Sequence, residues 1–302
     1  MICRTCDRGQ KFKALVCRES DKAVKAHSEN RRKQPVRLFG MGFAKKLGMT
    51  AFRPFPIVLL ALWLALPPTP SSAAGDVRVA VASNFLKPLR HLAKVFEADG
   101  GVRVRISTGS TGQLYAQIVN GAPFDVFLAA NAREPEKLEN DGAAVAGSRF
   151  TYARGRLLLL AGKGRAQRLR GDVQSALRAG RFDRLAIANP KVAPYGQAAM
   201  AVLEGLGVGD ALGGKVVRGE SVAQTYQFVA TGNADLGFVA LSQAGGAAGK
   251  GWLVPEALHP PIRQQAVLLR RSSKNPSARA FLEFLSGEKA GALIKDFGYG
   301  RD

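Results

Sequence analysis

Apolar and polar positions alternate from Val77 to Ala82, which predicts a strand. Leu86, Leu89, Leu92, Val95 and Phe96 then fall at helical spacing, predicting a helix over 85–98. The same texture repeats: strand at 102–107, helix at 112–119, apolar strand "FDVFLA" at 124–129, helix at 134–140. A strand–helix alternation of this kind predicts a parallel sheet covered by helices on both faces. "FTYARGRLLLLAGKG" then reads as an extended crossing segment. A second set follows: strand "RLAIAN" at 184–189, helix at 196–206, strand "KVVRG" at 215–219, helix at 222–230 and strand "ADLGFVAL" at 234–241. "QQAVLLRR" returns as a strand, and the chain closes with an amphipathic helix at 277–285 and another after Gly287.

Two α/β sets joined by two extended crossings predict an α/β protein of two lobes with a cleft between them. Each lobe is expected to hold a mixed, mainly parallel sheet flanked by helices. The expected division is 75–155 plus 264–302 for the first lobe and 156–263 for the second, with hinges near 152–156 and 264–267. Ahead of the body, residues 51–74 have the layout of a secretory signal peptide. Lys45, Lys46 and Arg53 form the basic start, an apolar run of about 12 residues follows, and Ser72-Ala73-Ala74 is a small-residue cleavage site, with cutting expected after Ala74. That run is shorter than the roughly 20 residues a spanning helix needs. A signal peptide belongs at a chain start, so residues 1–50 are expected to be a mis-annotated or disordered extension, with translation beginning at Met41 or Met49.

The 302 residues carry 44 Lys and Arg against 23 Asp and Glu, a net charge of +21. The excess is divided almost evenly between residues 1–74 and the body, and the body has no dense basic run. It therefore reads as a solvated basic surface rather than a nucleic-acid face. Cys3, Cys6 and Cys17 are the only cysteines. Cys3-x-x-Cys6 with His27 lacks a second ligand pair, so no metal site is expected there, and no cofactor is expected in the body.

Four strand-to-helix junctions concentrate the chemistry: "ASNF" with Ser83 and Asn84, "TGSTGQLY" with Ser110 and Thr111, "ANPKVAPYG" ending at Tyr195, and "RGESVAQ" with Glu220, Ser221 and Val222. In open α/β sheets ligands sit beyond the carboxyl ends of the strands. A helix N-terminus there offers unpaired N–H groups and a partial positive charge. Several aimed at one point hold an anion without any cationic side chain. Taken one at a time, Ser83, Thr111 and Ser221 also read as ordinary helix caps.

"VRVAVASNF", "GSTGQLYAQIVNGAPFDVFLAA", "GSRFTYARGRL", "ANPKVAPYGQAA" and "ADLGFVALSQ" resemble the periplasmic molybdate-binding proteins of ABC transporters, in order, over roughly 76–300. The resemblance implies a two-lobed type II periplasmic binding protein that holds its oxyanion by neutral donors. Carried over, the ligand groups are Ser83 and Asn84 in the first loop, Ser110 or Thr111 in the second, the Tyr195 hydroxyl, and the Val222 backbone N–H. The first loop reads Ser-Asn where some relatives have Ser followed by an apolar residue, which leaves the role of the Asn84 side chain open. The implied ligand is molybdate or tungstate, the implied partner is the membrane permease of the importer, and the protein is expected to be a periplasmic monomer with no nucleic-acid partner.

Other functions fit less well. "GSTG" is not Gly-x-Ser-x-Gly, and "GSTGQ" lacks the lysine of a P-loop. The body's two histidines, His91 and His259, sit in no triad context, so no enzyme is expected. Ferric iron wants several Tyr, His or carboxylate ligands, and only Tyr195 of the body's tyrosines falls in a cleft loop. Phosphate wants an acceptor for its proton, for which Glu220 is the candidate. Sulfate, another fully deprotonated tetrahedral oxyanion, is the nearest competitor.

Overall fold

β1 (Val77–Ala82) pairs in parallel with β2 (Val104–Gly109) on one side and β3 (Val126–Leu128) on the other. These pairings begin the sheet of the first lobe in this computed structural model, which describes residues 75–100, 102–165 and 172–300. The signal peptide at 51–74, its cleavage after Ala74, the extension at 1–50, and Cys3, Cys6, Cys17 and His27 lie outside the described residues. The described residues all fall within one compact unit.

The first sheet has the order β2-β1-β3-β10-β4, with β10 (Ile262–Leu268) antiparallel to both β3 and β4 (Phe150–Gly155). The second has the order β7-β6-β8-β5-β9. Here β6 (Leu185–Ala188) runs parallel to β7 (Val216–Gly219) and β8 (Leu236–Ala240), and β5 (Leu157–Ala161) runs antiparallel to β8 and β9 (Gly251–Leu253). Each sheet therefore has four strands in one direction and one against them, the mixed, mainly parallel pattern expected. The reversed strand is in each case the one that arrives from the other lobe.

The helices follow their apolar spacing. α1 (Leu86–Gly100) turns Leu89, Leu92, Ala93 and Phe96 inward, where Phe96 meets Phe281 of α8 (Pro276–Ser286) edge-on at 5.2 Å. α8 starts cleanly because the Asn275 side chain accepts from the N–H groups of Ser277 and Ala278, and Pro276 takes the first helical position. α9 (Glu288–Asp296) packs beside it. α2 (Thr111–Val119), α3 (Arg133–Asn140), α4 (Val173–Arg178), α5 (Pro194–Gly205), α6 (Val222–Ala230) and the one-turn α7 (Leu241–Ala244) complete the layers.

Both lobes tie the start of their third parallel strand in the same way. Asp125, just before β3, accepts from Arg78 N–H at 2.7 Å and from the Ser272 hydroxyl at 2.5 Å. Asp235, just before β8, accepts from Asp183 and Arg184 N–H at 2.8 and 3.0 Å. Each buried carboxylate satisfies backbone donors that no ladder pairs there.

Three details differ from the sequence reading. The expected crossing at 150–164 is two strands, β4 and β5, that belong to different sheets and meet at Arg156. The expected second hinge at 264–267 lies inside β10, paired on both edges, so the chain crosses before Ile262, through His259-Pro260-Pro261. α4 and the three-residue β9 were not anticipated, since both are too short to show a period.

β5 sits between β8 and β9 with Leu157, Leu158 and Leu159 buried, and Leu159 belongs to the larger core of the second lobe. Leu159→Ala leaves a cavity there and is expected to lower the unfolding free energy by about 2–5 kcal/mol, read from urea unfolding. A loss below 1 kcal/mol would mean that this core is not packed as described.

Candidate functional site

The C-terminal ends of β1, β2, β6 and β7 deliver the chain to one place. Ser83 and Asn84 follow β1 in a single 3-10 turn, Ser110 and Thr111 link β2 to α2, Tyr195 sits in the first turn of α5 after β6, and Val222 starts α6 after β7. All six residues singled out in the sequence line one small cavity. The other lining residues are Ala82, Gly109, Ala130, Ala193 and Pro194, so none of the lining residues is charged or a histidine. Ser83, Asn84, Ser110, Thr111, Tyr195 and Val222 are all at most 7% exposed.

The hydroxyls are in different states. Thr111 Oγ1 accepts from Ala130 N–H at 3.0 Å, and Ser83 Oγ accepts from Ala223 N–H at 3.3 Å. Both keep their own proton to donate. Ser110 is the N-cap of α2 by position, and its N–H donates to Gln113 Oε1 at 3.3 Å. Its hydroxyl, however, is buried and has no partner. Ser221 behaves as the ordinary cap, accepting from Gln224 N–H at 3.3 Å. The N–H groups of Thr111 and Val222 open their helices and so have no intrahelical partner.

The two lobes touch around this cavity. Gly112 N–H donates to Val192 O at 2.9 Å, and a Cβ on Gly112 would stand 3.0 Å from Val192 Cα, so the absence of a side chain sets how close the lobes come. Gln113 reaches Glu220 at 3.4 Å. Glu220 is exposed and lies at the rim rather than on the cavity wall. The proton acceptor considered for phosphate is therefore not placed to serve as one.

Behind the cavity lies a buried polar network that the sequence did not reveal. Asn84 Nδ2 donates to Gln264 Oε1 at 2.9 Å and to Tyr299 Oη at 3.0 Å. The Asn84 side-chain nitrogen is thus engaged in the lobe interior, while its Oδ1 is buried without a partner. The Tyr152 hydroxyl lies between two acceptors, Gln264 Oε1 at 3.0 Å and Ala129 O at 3.1 Å; Gln264 Nε2 donates to Tyr195 Oη at 3.3 Å, and Ser242 Oγ meets Tyr299 Oη at 2.9 Å. Gly155 makes room for this: a Cβ there would overlap the Tyr195 hydroxyl and come within 2.7 Å of Gln264 Nε2. The one available sequence signal was Gln264 itself, a polar residue in phase with Ile262 and Ala266 on the inward side of a strand.

Burial pushes the Tyr152, Tyr195 and Tyr299 hydroxyls well above the usual tyrosine range, chiefly because a phenolate would be desolvated there. All three therefore stay protonated donors across the neutral range.

Residues 77–300 match the family described as bacterial extracellular solute-binding protein. The molybdate-binding protein ModA of Azotobacter vinelandii is 51% identical over 234 residues, covering 76% of this chain and 92% of that one. ModA of Rhodobacter capsulatus is 44% identical over 241 residues, covering 80% and 92%. Among solved structures, the periplasmic molybdate-binding protein of Azotobacter vinelandii superimposes with a TM-score of 0.71 at 42% identity, over 75% of this chain and all of that one.

The buried tyrosines predict the alkaline limit of stability. Their folded pKa values are raised, so their contribution is complete below the unfolded value near pH 10 and declines as pH rises above it. Each ionising tyrosine then costs up to about 1.4 kcal/mol per pH unit. The urea midpoint is expected to hold from pH 8 to 9.5 and fall above 10, with a shallower fall in Tyr152→Phe. Equal falls in parent and variant would contradict the burial argument.

Proposed function

Because the chain belongs to the bacterial extracellular solute-binding protein family, in its molybdate-binding ModA branch, we propose that it captures molybdate, and tungstate equally, in the cleft between its lobes. The lobes are taken as the portions bearing the two sheets, divided at Arg156 and again before Ile262. We place the protein in the periplasm as a monomer, where the closed complex is handed to the membrane permease of an ABC importer. Among the described residues no helix is long and apolar enough to cross a membrane. The relatives are named as binding proteins rather than enzymes.

The observation that carries this reading is a buried cavity lined by hydroxyls and helix N-termini with no charged group. A fully deprotonated dianion has acceptors only, and every group offered to it is a donor. Ser83, Ser110 and Tyr195 supply O–H groups, while Asn84, Thr111 and Val222 supply N–H groups. Ser110 is assigned as the second-loop donor, since its hydroxyl is the one left without a partner. Asn84 acts through its backbone N–H, both hydrogens of its side-chain amide being engaged by Gln264 and Tyr299. Hydrogen bonds to a charged partner contribute about 1.5–3 kcal/mol each. Six of them, less the cost of closure, reach the roughly −10 to −12 kcal/mol of nanomolar binding.

Selectivity follows from size. Sulfate has the same charge and shape but shorter bonds, and it cannot reach donors fixed on both lobes at once. Each donor left unpaired after desolvation costs about 1–3 kcal/mol. Calorimetry of the purified chain against molybdate, tungstate, sulfate and phosphate tests this. Molybdate and tungstate are expected within about threefold of each other, and sulfate about a thousandfold weaker. Ser110→Ala is expected to weaken molybdate about tenfold to a hundredfold on the same scale. Sulfate binding as tightly as molybdate would sink the ligand assignment, and an unchanged Ser110→Ala would sink the donor assignment.

A further inference from the structure

We propose that Gln264 is a positioning residue that aims the Tyr195 hydroxyl at the bound anion. The proposal rests on the reading above, in which Tyr195 is a ligand group. A hydroxyl has one proton and can present either that proton or a lone pair to whatever it faces. Before a dianion the lone pair repels and the proton attracts, so the direction of the O–H bond decides whether Tyr195 helps or hinders.

The buried network fixes that direction step by step. Tyr299 Oη donates to the backbone carbonyl of Asn84 at 2.9 Å, so its oxygen is free to accept from Asn84 Nδ2 at 3.0 Å. The second hydrogen of the same amide goes to Gln264 Oε1 at 2.9 Å, which the Tyr152 hydroxyl also approaches at 3.0 Å. The Asn84 amide donor holds the Gln264 oxygen on that side, where the Tyr152 proton is shared between Gln264 Oε1 and Ala129 O at 3.1 Å, and this turns the Gln264 nitrogen toward Tyr195 Oη, 3.3 Å away. The Tyr195 oxygen is therefore already accepting, and its proton is left to point into the cavity that Tyr195 lines. Gln264 is fully buried, so no water competes for either end of the amide. It also belongs to the first sheet while Tyr195 belongs to α5 on the second, so the hydroxyl is aimed only when the lobes are together.

The discriminating variant is Gln264→Glu. It keeps an oxygen for Asn84 and Tyr152 and changes the atom facing Tyr195 from donor to acceptor, which draws the hydroxyl proton away from the anion. Its added charge also repels the anion, and that part persists whether or not Tyr195 has a hydroxyl. The readout is therefore the cost of Gln264→Glu to molybdate affinity, by calorimetry on the full chain, in the parent and in a Tyr195→Phe background. The cost is expected to be at least tenfold larger in the parent. Equal costs in the two backgrounds overturn the proposal. If Gln264→Glu does not fold, neutral Gln264→Met takes its place in the same comparison, with a fivefold or greater loss expected in the parent and less than twofold in Tyr195→Phe; equal losses again overturn it. Tyr195→Phe by itself tests the underlying reading. No loss of molybdate affinity there removes the ligand role of Tyr195 altogether, whereas a loss there with equal Gln264 costs removes only the role of Gln264.

Discussion

The first turn of a helix has N–H groups that its own backbone cannot pair, and this fold brings the starts of three helices and a 3-10 turn to a single cavity. The rest of the structure serves that convergence. Parallel strands β1, β2, β6 and β7 must all end on the cleft side, which fixes the strand order. The reversed strands β5 and β10 carry the chain between lobes while keeping those four ends facing one another. Neutral hydroxyls complete the wall, so the site has the field of an anion site without a cation in it.

An absence of charge has a consequence for selection. A lysine or arginine attracts any anion through a flexible arm, whereas backbone N–H groups and capped hydroxyls cannot move to follow a smaller ligand. On the proposed reading rigidity does the discriminating, the close approach of Gly112 to Val192 being the contact that would limit adjustment of the lobes. The buried tyrosines extend the same logic inward. They hold hydrogen-bond directions, and burial keeps them from becoming phenolates that would oppose the anion.

Much of this was legible in the chain. The strand–helix alternation gave two α/β lobes, and Ser83, Asn84, Ser110, Thr111, Tyr195 and Val222 from the four junctions do line one cavity, while Ser221 serves as a helix cap. Local signals were enough there because each junction is a strand end, a cap and a helix start within a few residues. The Asn84–Gln264–Tyr195 network was not legible, since its members lie 180 and 69 positions apart and meet only through the sheet order. The split at Arg156 was hidden for a related reason: β5 is buried from Leu157 to Leu160 without alternation, so no period marks where it begins. The idle Ser110 hydroxyl, set against the capping hydroxyl of Ser221, is likewise a matter of coordinates rather than residue type.

The central claim is that a dianion is held entirely by groups that neither gain nor lose a proton. The most direct measurement is the number of protons exchanged on molybdate binding, from calorimetric enthalpies at pH 7.5 in buffers of different ionisation enthalpy. The account predicts zero protons per anion, the observed enthalpy being the same in every buffer. An uptake or release of half a proton or more would mean that an ionisable group takes part, and would contradict it.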